Sequence, residues 1–114
     1  MLPYLYAMQR NNPTESKEKP MIRIAARQTV RADACEEFER IAAELIEITR
    51  TEEGNHGYTL THGIENPQVY CFFEVWESME AVESHLSSEH FKRIAPQLDA
   101  LMAEGAVLDV YEEV

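Results

Sequence analysis

Several stretches of this chain alternate or space apolar and polar residues regularly, and one stretch is apolar on both faces. From Val69 to Trp76 the sequence reads VYCFFEVW. If extended, one face carries Val69, Cys71, Phe73 and Val75, and the other Tyr70, Phe72, Glu74 and Trp76. The first set is wholly apolar, and the second holds a single carboxylate. A strand solvated on one side alternates apolar with polar; one covered on both sides does not. Each face therefore needs a cover, and a second copy of the chain can supply one of them.

The other elements fall in order around this strand. Met21–Val30 alternates as a first strand, with Ile22, Ile24, Ala26, Gln28 and Val30 on one face and Arg23, Ala25, Arg27 and Thr29 on the other. Asp33 with Glu36 three residues on has the form of a capping box, which predicts a helix over Ala34–Glu53. Its apolar stripe is Phe38, Ile41, Ala42, Leu45, Ile46, Ile48 and Thr49. Gly54 supplies a left-handed stop. His56–Gly63 reads as a second strand with Tyr58, Leu60 and His62 on one face, and the turn residues Glu65-Asn66-Pro67-Gln68 join it as a hairpin to the strand Val69–Glu77.

Ser78 caps a short helix over Met79–Ser87, with the apolar line Met79, Val82 and Leu86. Ser87 or Ser88 restarts a helix to Glu104, with Phe91, Ile94, Ala95, Leu98, Leu101 and Met102 inward and a kink or break at Pro96. Gly105 ends that helix, and Ala106–Glu112 is a last strand. The order β-α-β-β-α-β predicts an α+β, ferredoxin-like fold: an antiparallel sheet with helices on one face. The uncovered face still holds apolar residues, which predicts a homodimer. Two such sheets facing each other close into a shared α/β barrel and hide their edges.

The 114 residues suit one domain. Residues 1–20 differ in character from the remainder of the chain: Asn11–Pro20 is polar, aperiodic and carries Pro13 and Pro20, so it reads as a flexible extension ahead of a domain over 21–114. The formal charge is -11, from 21 acidic and 10 basic side chains. That argues against nucleic acid or an anionic membrane as a partner, since both need a basic patch. Cys35 and Cys71 are far apart in no metal or redox spacing, which points to a reduced, cytoplasmic protein. No apolar run approaches the roughly 20 residues that span a bilayer. Leu2–Met8 is too short for a signal-peptide core.

The run Glu74-Val75-Trp76-Glu77-Ser78, with Ala81, His85, Leu86 and His90-Phe91 behind it, resembles the antibiotic biosynthesis monooxygenase (ABM) family. Gly54, Gly57-Tyr58-Thr59-Leu60 and the final Val107-Leu108-Asp109-Val110-Tyr111-Glu112 fit the same pattern, so the resemblance covers residues 21–114. It implies the ferredoxin-like dimer reached above. It also implies oxidation of phenolic or quinol substrates with O₂ and no cofactor, neither metal nor flavin. Members of the family keep a pocket between sheet and helices, lined at the positions of Trp76 and His85. Haem-degrading relatives carry an asparagine on the first strand; here that stretch is Ala25-Ala26-Arg27-Gln28, which lowers the haem reading.

Oxidising a phenol without a cofactor takes a base of near-neutral pKa, aromatic walls for the ring, and exclusion of water. His85, at the edge of its helix stripe, is the first choice for the base. His62 is a second base if its strand face meets the helices, and an interface residue if it meets a partner chain. Trp76, Phe72 and Tyr58 would wall the ring, although Trp76 at a strand–helix junction equally suits a plain core role. Glu74 among aromatics needs a partner; a salt bridge to Arg27 or Arg23 is the expected one, ahead of a carboxyl of raised pKa. His56 and His90 read as exposed or capping. His85 and His90 lie five apart and share no helix face, so no metal pair is indicated there; His62 with His85 is an alternative metal pair with no motif behind it. The alternatives to an oxygenase are a dimeric module that binds a small molecule unchanged, or a haem-degrading relative. A closed, fully packed junction at Trp76 and His85 would favour a purely structural role.

Overall fold

The computed structural model describes residues 20–114, so the extension expected ahead of the domain lies almost wholly outside the described residues. The elements are β1 (Ile22–Thr29), α1 (Cys35–Thr49), β2 (Asn55–His62), β3 (Val69–Trp76), α2 (Met79–Leu86), α3 (Glu89–Asp99) and β4 (Val107–Glu112). The four strands form one antiparallel sheet in the order β2-β3-β1-β4. This is the ferredoxin-like arrangement, with the aromatic strand β3 inside the sheet.

One face of β3 is covered by the helices and the other is open. Tyr70, Phe72, Glu74 and Trp76 are buried, and so are Ile22, Ile24 and Ala26 of β1 and Tyr58 of β2. Phe38, Ala42 and Leu45 of α1, Val82 of α2, and Ile94 and Leu98 of α3 pack over them. The opposite face carries Val69, Cys71, Phe73 and Val75, and Phe73 is 52% exposed in the single chain. Val107 and Tyr111 of β4, paired to Arg27 and Arg23 of β1, lie on that same open face and are exposed as well. No helix among the described residues is long and apolar enough to cross a membrane.

Several boundaries differ from expectation, each for a visible reason. The Asp33–Glu36 capping box does not form. A short 3₁₀ turn occupies Ala32–Ala34, α1 begins at Cys35 without a side-chain cap, and Asp33 pairs instead with Arg31 at 3.4 Å. α1 ends at Thr49, because turns over Ile48–Glu52 lead into Gly54, whose φ is +91°. α3 runs through Pro96 without breaking but stops at Asp99, well short of Glu104. There the chain is drawn onto β1: Arg31 N–H donates to Leu101 O at 3.0 Å and Ala103 N–H to Thr29 O at 2.7 Å. On α2 the inward pair is Val82 and His85, while Leu86 is 47% exposed, so His85 takes the place that the apolar line assigned to Leu86.

Candidate functional site

The β2–β3 hairpin and α2 converge on Trp76. The β-ladder pairs Tyr58 with Glu74, so Tyr58, Phe72, Glu74 and Trp76 project from one face of the sheet. Ser78 caps α2 by accepting from Ala81 N–H, which starts that helix directly beyond Trp76. His85 is thereby laid over the indole, with ring centroids 4.8 Å apart, and stands 5.5 Å from Tyr58 and 4.8 Å from Phe91. Tyr58 in turn meets Phe72 at 5.3 Å and Trp76 at 6.3 Å. Trp76 is 0% exposed and His85 2%.

Two residues not expected here from the sequence complete the cluster. The chain breaks at Ser87–Ser88, and Ser88 caps α3 by accepting from Phe91 N–H while its hydroxyl donates to the His85 carbonyl at 2.6 Å. His85 and His90 therefore sit on different helices, and the turn between them brings their rings to 6.1 Å. Glu52 enters from the loop after α1. Its Oε2 lies 2.8 Å from His85 Nδ1 and 2.5 Å from His90 Nε2. His90 thus joins this cluster and is not a plain surface or capping residue. His56 stays on the surface, paired with Glu77. The two-serine break was the signal that could have found His90; nothing local marks Glu52.

A carboxylate oxygen accepts hydrogen bonds, so the contact assigns the donor role on His85 to Nδ1. Burial is the main influence on His85 and pushes its pKa below the ordinary histidine value, His90 adding to this and Glu52 opposing it. On neutral His85, with Nδ1 protonated toward Glu52, Nε2 keeps the free lone pair. Burial likewise holds the Tyr58 phenol protonated, helped by the charges of Glu74 and Glu52.

Glu74 departs from the expected salt bridge. Trp76 Nε1–H donates to Glu74 Oε1 at 2.8 Å, and no arginine is involved. The ladder pairs Ile24 with Glu74, which turns Arg23 and Arg27 to the opposite face of the sheet, where Arg23 binds Glu113 at 2.7 Å. Burial pushes the Glu74 carboxyl up to about 7, with the Trp76 hydrogen bond opposing and the Glu52 charge adding to the rise.

His62 stands apart. It pairs with Tyr70 near the turn end of the hairpin, its ring 5.8 Å from the tyrosine's, four residues and about 13 Å along β2 from Tyr58. His85, Trp76, Phe72, Tyr58 and Glu74 come together; His62 does not join them. An open groove of about 370 Å³, lined by Glu52, Glu53, Gly54, Glu77, Glu80, Ala81, Ser84 and Ser88, reaches the cluster from outside through Glu52. The rings behind it pack against one another, and neither Trp76 nor His85 lines the groove.

The family model described as antibiotic biosynthesis monooxygenase matches residues 21–97. YcnE of Bacillus subtilis, provisionally named a monooxygenase, is 30% identical over 90 residues, covering 79% of this chain and 93% of that protein. The protein sll1783 of Synechocystis is 28% identical over 89 residues, covering 78% of this chain, and the match spans only 60% of that longer relative. A crystal structure of a conserved protein from Methanosarcina mazei superposes with a TM-score of 0.82 at 29% identity, covering 83% of this chain and 94% of that one. A match over most of the folded domain, on the same sheet and helix order, leaves one assignment: the chain belongs to the antibiotic biosynthesis monooxygenase family.

Proposed function

We propose that the chain is a cofactor-independent oxygenase acting on a small phenol- or quinol-like ring, with His85 as the base. The observation that carries this is the state of His85. It is buried against Trp76 and Tyr58, held neutral, and tethered through Nδ1 to Glu52 so that Nε2 is free to take a proton. Removing the phenolic proton leaves an electron-rich anion that can pass an electron to O₂. Placing one oxygen atom on the ring and releasing the other as water converts a phenol to a quinone, so the ring supplies every electron and no outside reductant is needed. Trp76, Phe72 and Tyr58 would hold the ring, and Glu74, with its pKa near 7, is a second group able to exchange a proton beside it. Glu52 acts through His85, fixing its tautomer.

The working unit in this proposal is a cytoplasmic homodimer closed over the open face of the sheet. The test is oxygen uptake with a panel of hydroquinones, naphthols and polyphenols. Wild type should consume O₂ with at least one of them, and His85→Gln should abolish it. Uptake that persists in His85→Gln would remove the mechanism.

The closure of the ring cluster favours a second reading, a purely structural junction that does no chemistry. It predicts no uptake with any substrate. Quenching of the lone tryptophan by such a ring would then mark a binding module, and its absence a structural junction.

A further inference from the structure

We infer that Glu52, His85 and His90 form a binding site for a divalent first-row transition metal, of which Zn²⁺ is the representative probe. This goes beyond the oxygenase proposal, which concerns the metal-free chain, and it is tested by binding rather than turnover. The three side chains come from three separate segments, and one ligand atom of each lies within 4.8 Å of the others. Two imidazoles and one carboxylate form a borderline donor set that suits Zn²⁺ and its neighbours, whereas Mg²⁺ and Ca²⁺ prefer oxygen throughout.

The geometry is close to what an ion requires. Tetrahedral Zn²⁺ with its usual bond lengths sets ligand atoms about 3.3 Å apart. The Glu52 oxygen now stands 2.8 and 2.5 Å from the two nitrogens, drawn in by hydrogen bonds whose protons an ion would replace. The oxygen would move outward and the two imidazole nitrogens, within 4.8 Å of each other, would draw together, each by about an ångström. His85 is a rigid inner ligand at 3% side-chain exposure, while Glu52 and His90, at 14% each, are the outer pair. Ser88 ties the ligands together: its hydroxyl donates to the His85 carbonyl and lies 3.3 Å from His90 Nε2. Outside stands the groove bordered by Glu53, Glu77 and Glu80, on a chain of net charge -11, so a cation has an attractive way in.

The experiment is calorimetric titration of the chelator-stripped full chain with ZnCl₂, alongside Glu52→Gln, His90→Ala and the control His56→Ala. Wild type should bind one Zn²⁺ per chain. Glu52→Gln and His90→Ala should each weaken binding at least tenfold, and His56→Ala should leave it unchanged. Co²⁺ should give visible absorption bands in wild type that His90→Ala loses; circular dichroism confirms that each variant is folded. No saturable binding would overturn the inference. So would equal affinity in Glu52→Gln and His90→Ala, or loss only in His56→Ala, which would mark an adventitious surface pair with Glu77. Failure of oxygen uptake leaves these readouts untouched, so this inference and the oxygenase proposal can fail separately.

Discussion

Trp76 donates its indole N–H to the carboxylate of Glu74, two residues back on the same strand, across 2.8 Å. Both side chains project from one face of β3 into the core, so the pair is sealed by the helices above it. The hydrogen bond favours the charged carboxylate, while burial and the Glu52 charge disfavour it, and burial wins. Trp76→Phe removes the donor and keeps an aromatic ring. The Glu74 carboxyl should then titrate above its present value of about 7, read from its carboxyl carbon shift in NMR.

Glu74 also sets part of the pH dependence of stability. Its pKa is raised from 4.5 to about 7 on folding. A raised pKa means that the folded chain binds the proton more tightly, so the added stability is complete below pH 4.5 and is lost as pH rises through 7. At 1.36 kcal/mol per pKa unit the amount is about 3 kcal/mol. His85 works in the opposite sense: its pKa is lowered, so its cost appears as pH falls below 6.5. In urea unfolding, Glu74→Gln should therefore gain on wild type by about 3 kcal/mol between pH 4.5 and 8. A constant difference across that range would mean that Glu74 titrates normally.

Gly54 is expected to tolerate no side chain. Its φ is +91°, and an added Cβ would lie 2.7 Å from the Cβ of Ala81 on α2. The same residue accepts from Glu77 N–H at 2.8 Å, which pins the loop carrying Glu52 to the end of β3. Gly54→Ala should cost about 2 kcal/mol or more and lower the melting temperature by roughly 10 °C. Adding Ala81→Gly relieves the clash but not the strained φ. A double-mutant cycle should therefore show favourable coupling with incomplete recovery.

Phe73 lies midway along β3 on the open face, 52% exposed, beside Ala25 of β1 and Thr59 of β2 in the ladder. If a second copy covers that face, wild type sediments as a dimer at micromolar concentration. Phe73→Glu, which would bury a charge there, should sediment as a monomer with its far-ultraviolet spectrum intact. A monomeric wild type would refute the sheet-to-sheet arrangement.

The fold was legible in the chain because its signals are local. Period-two alternation, the Ser78 and Ser88 caps and the Gly54 stop each act within a few residues, and together they determined the element order and which residues of β3 share a face. The same locality explains the misses. The capping box at Asp33 gave way to a 3₁₀ turn over Ala32–Ala34, and α3 ended early because Leu101–Ala103 is drawn onto the end of β1. Which partner Glu74 takes depends on strand register, which turned both arginines to the far side of the sheet. The meeting of Glu52, His85 and His90 depends on three segments packing at one point, and Glu52 lies 33 residues from His85 in the chain. No periodicity encodes an approach of that kind, so the sequence by itself determined the scaffold and the aromatic face of β3. Only tertiary packing decided which carboxylate meets the buried imidazole, and that burial lowers the pKa of that imidazole.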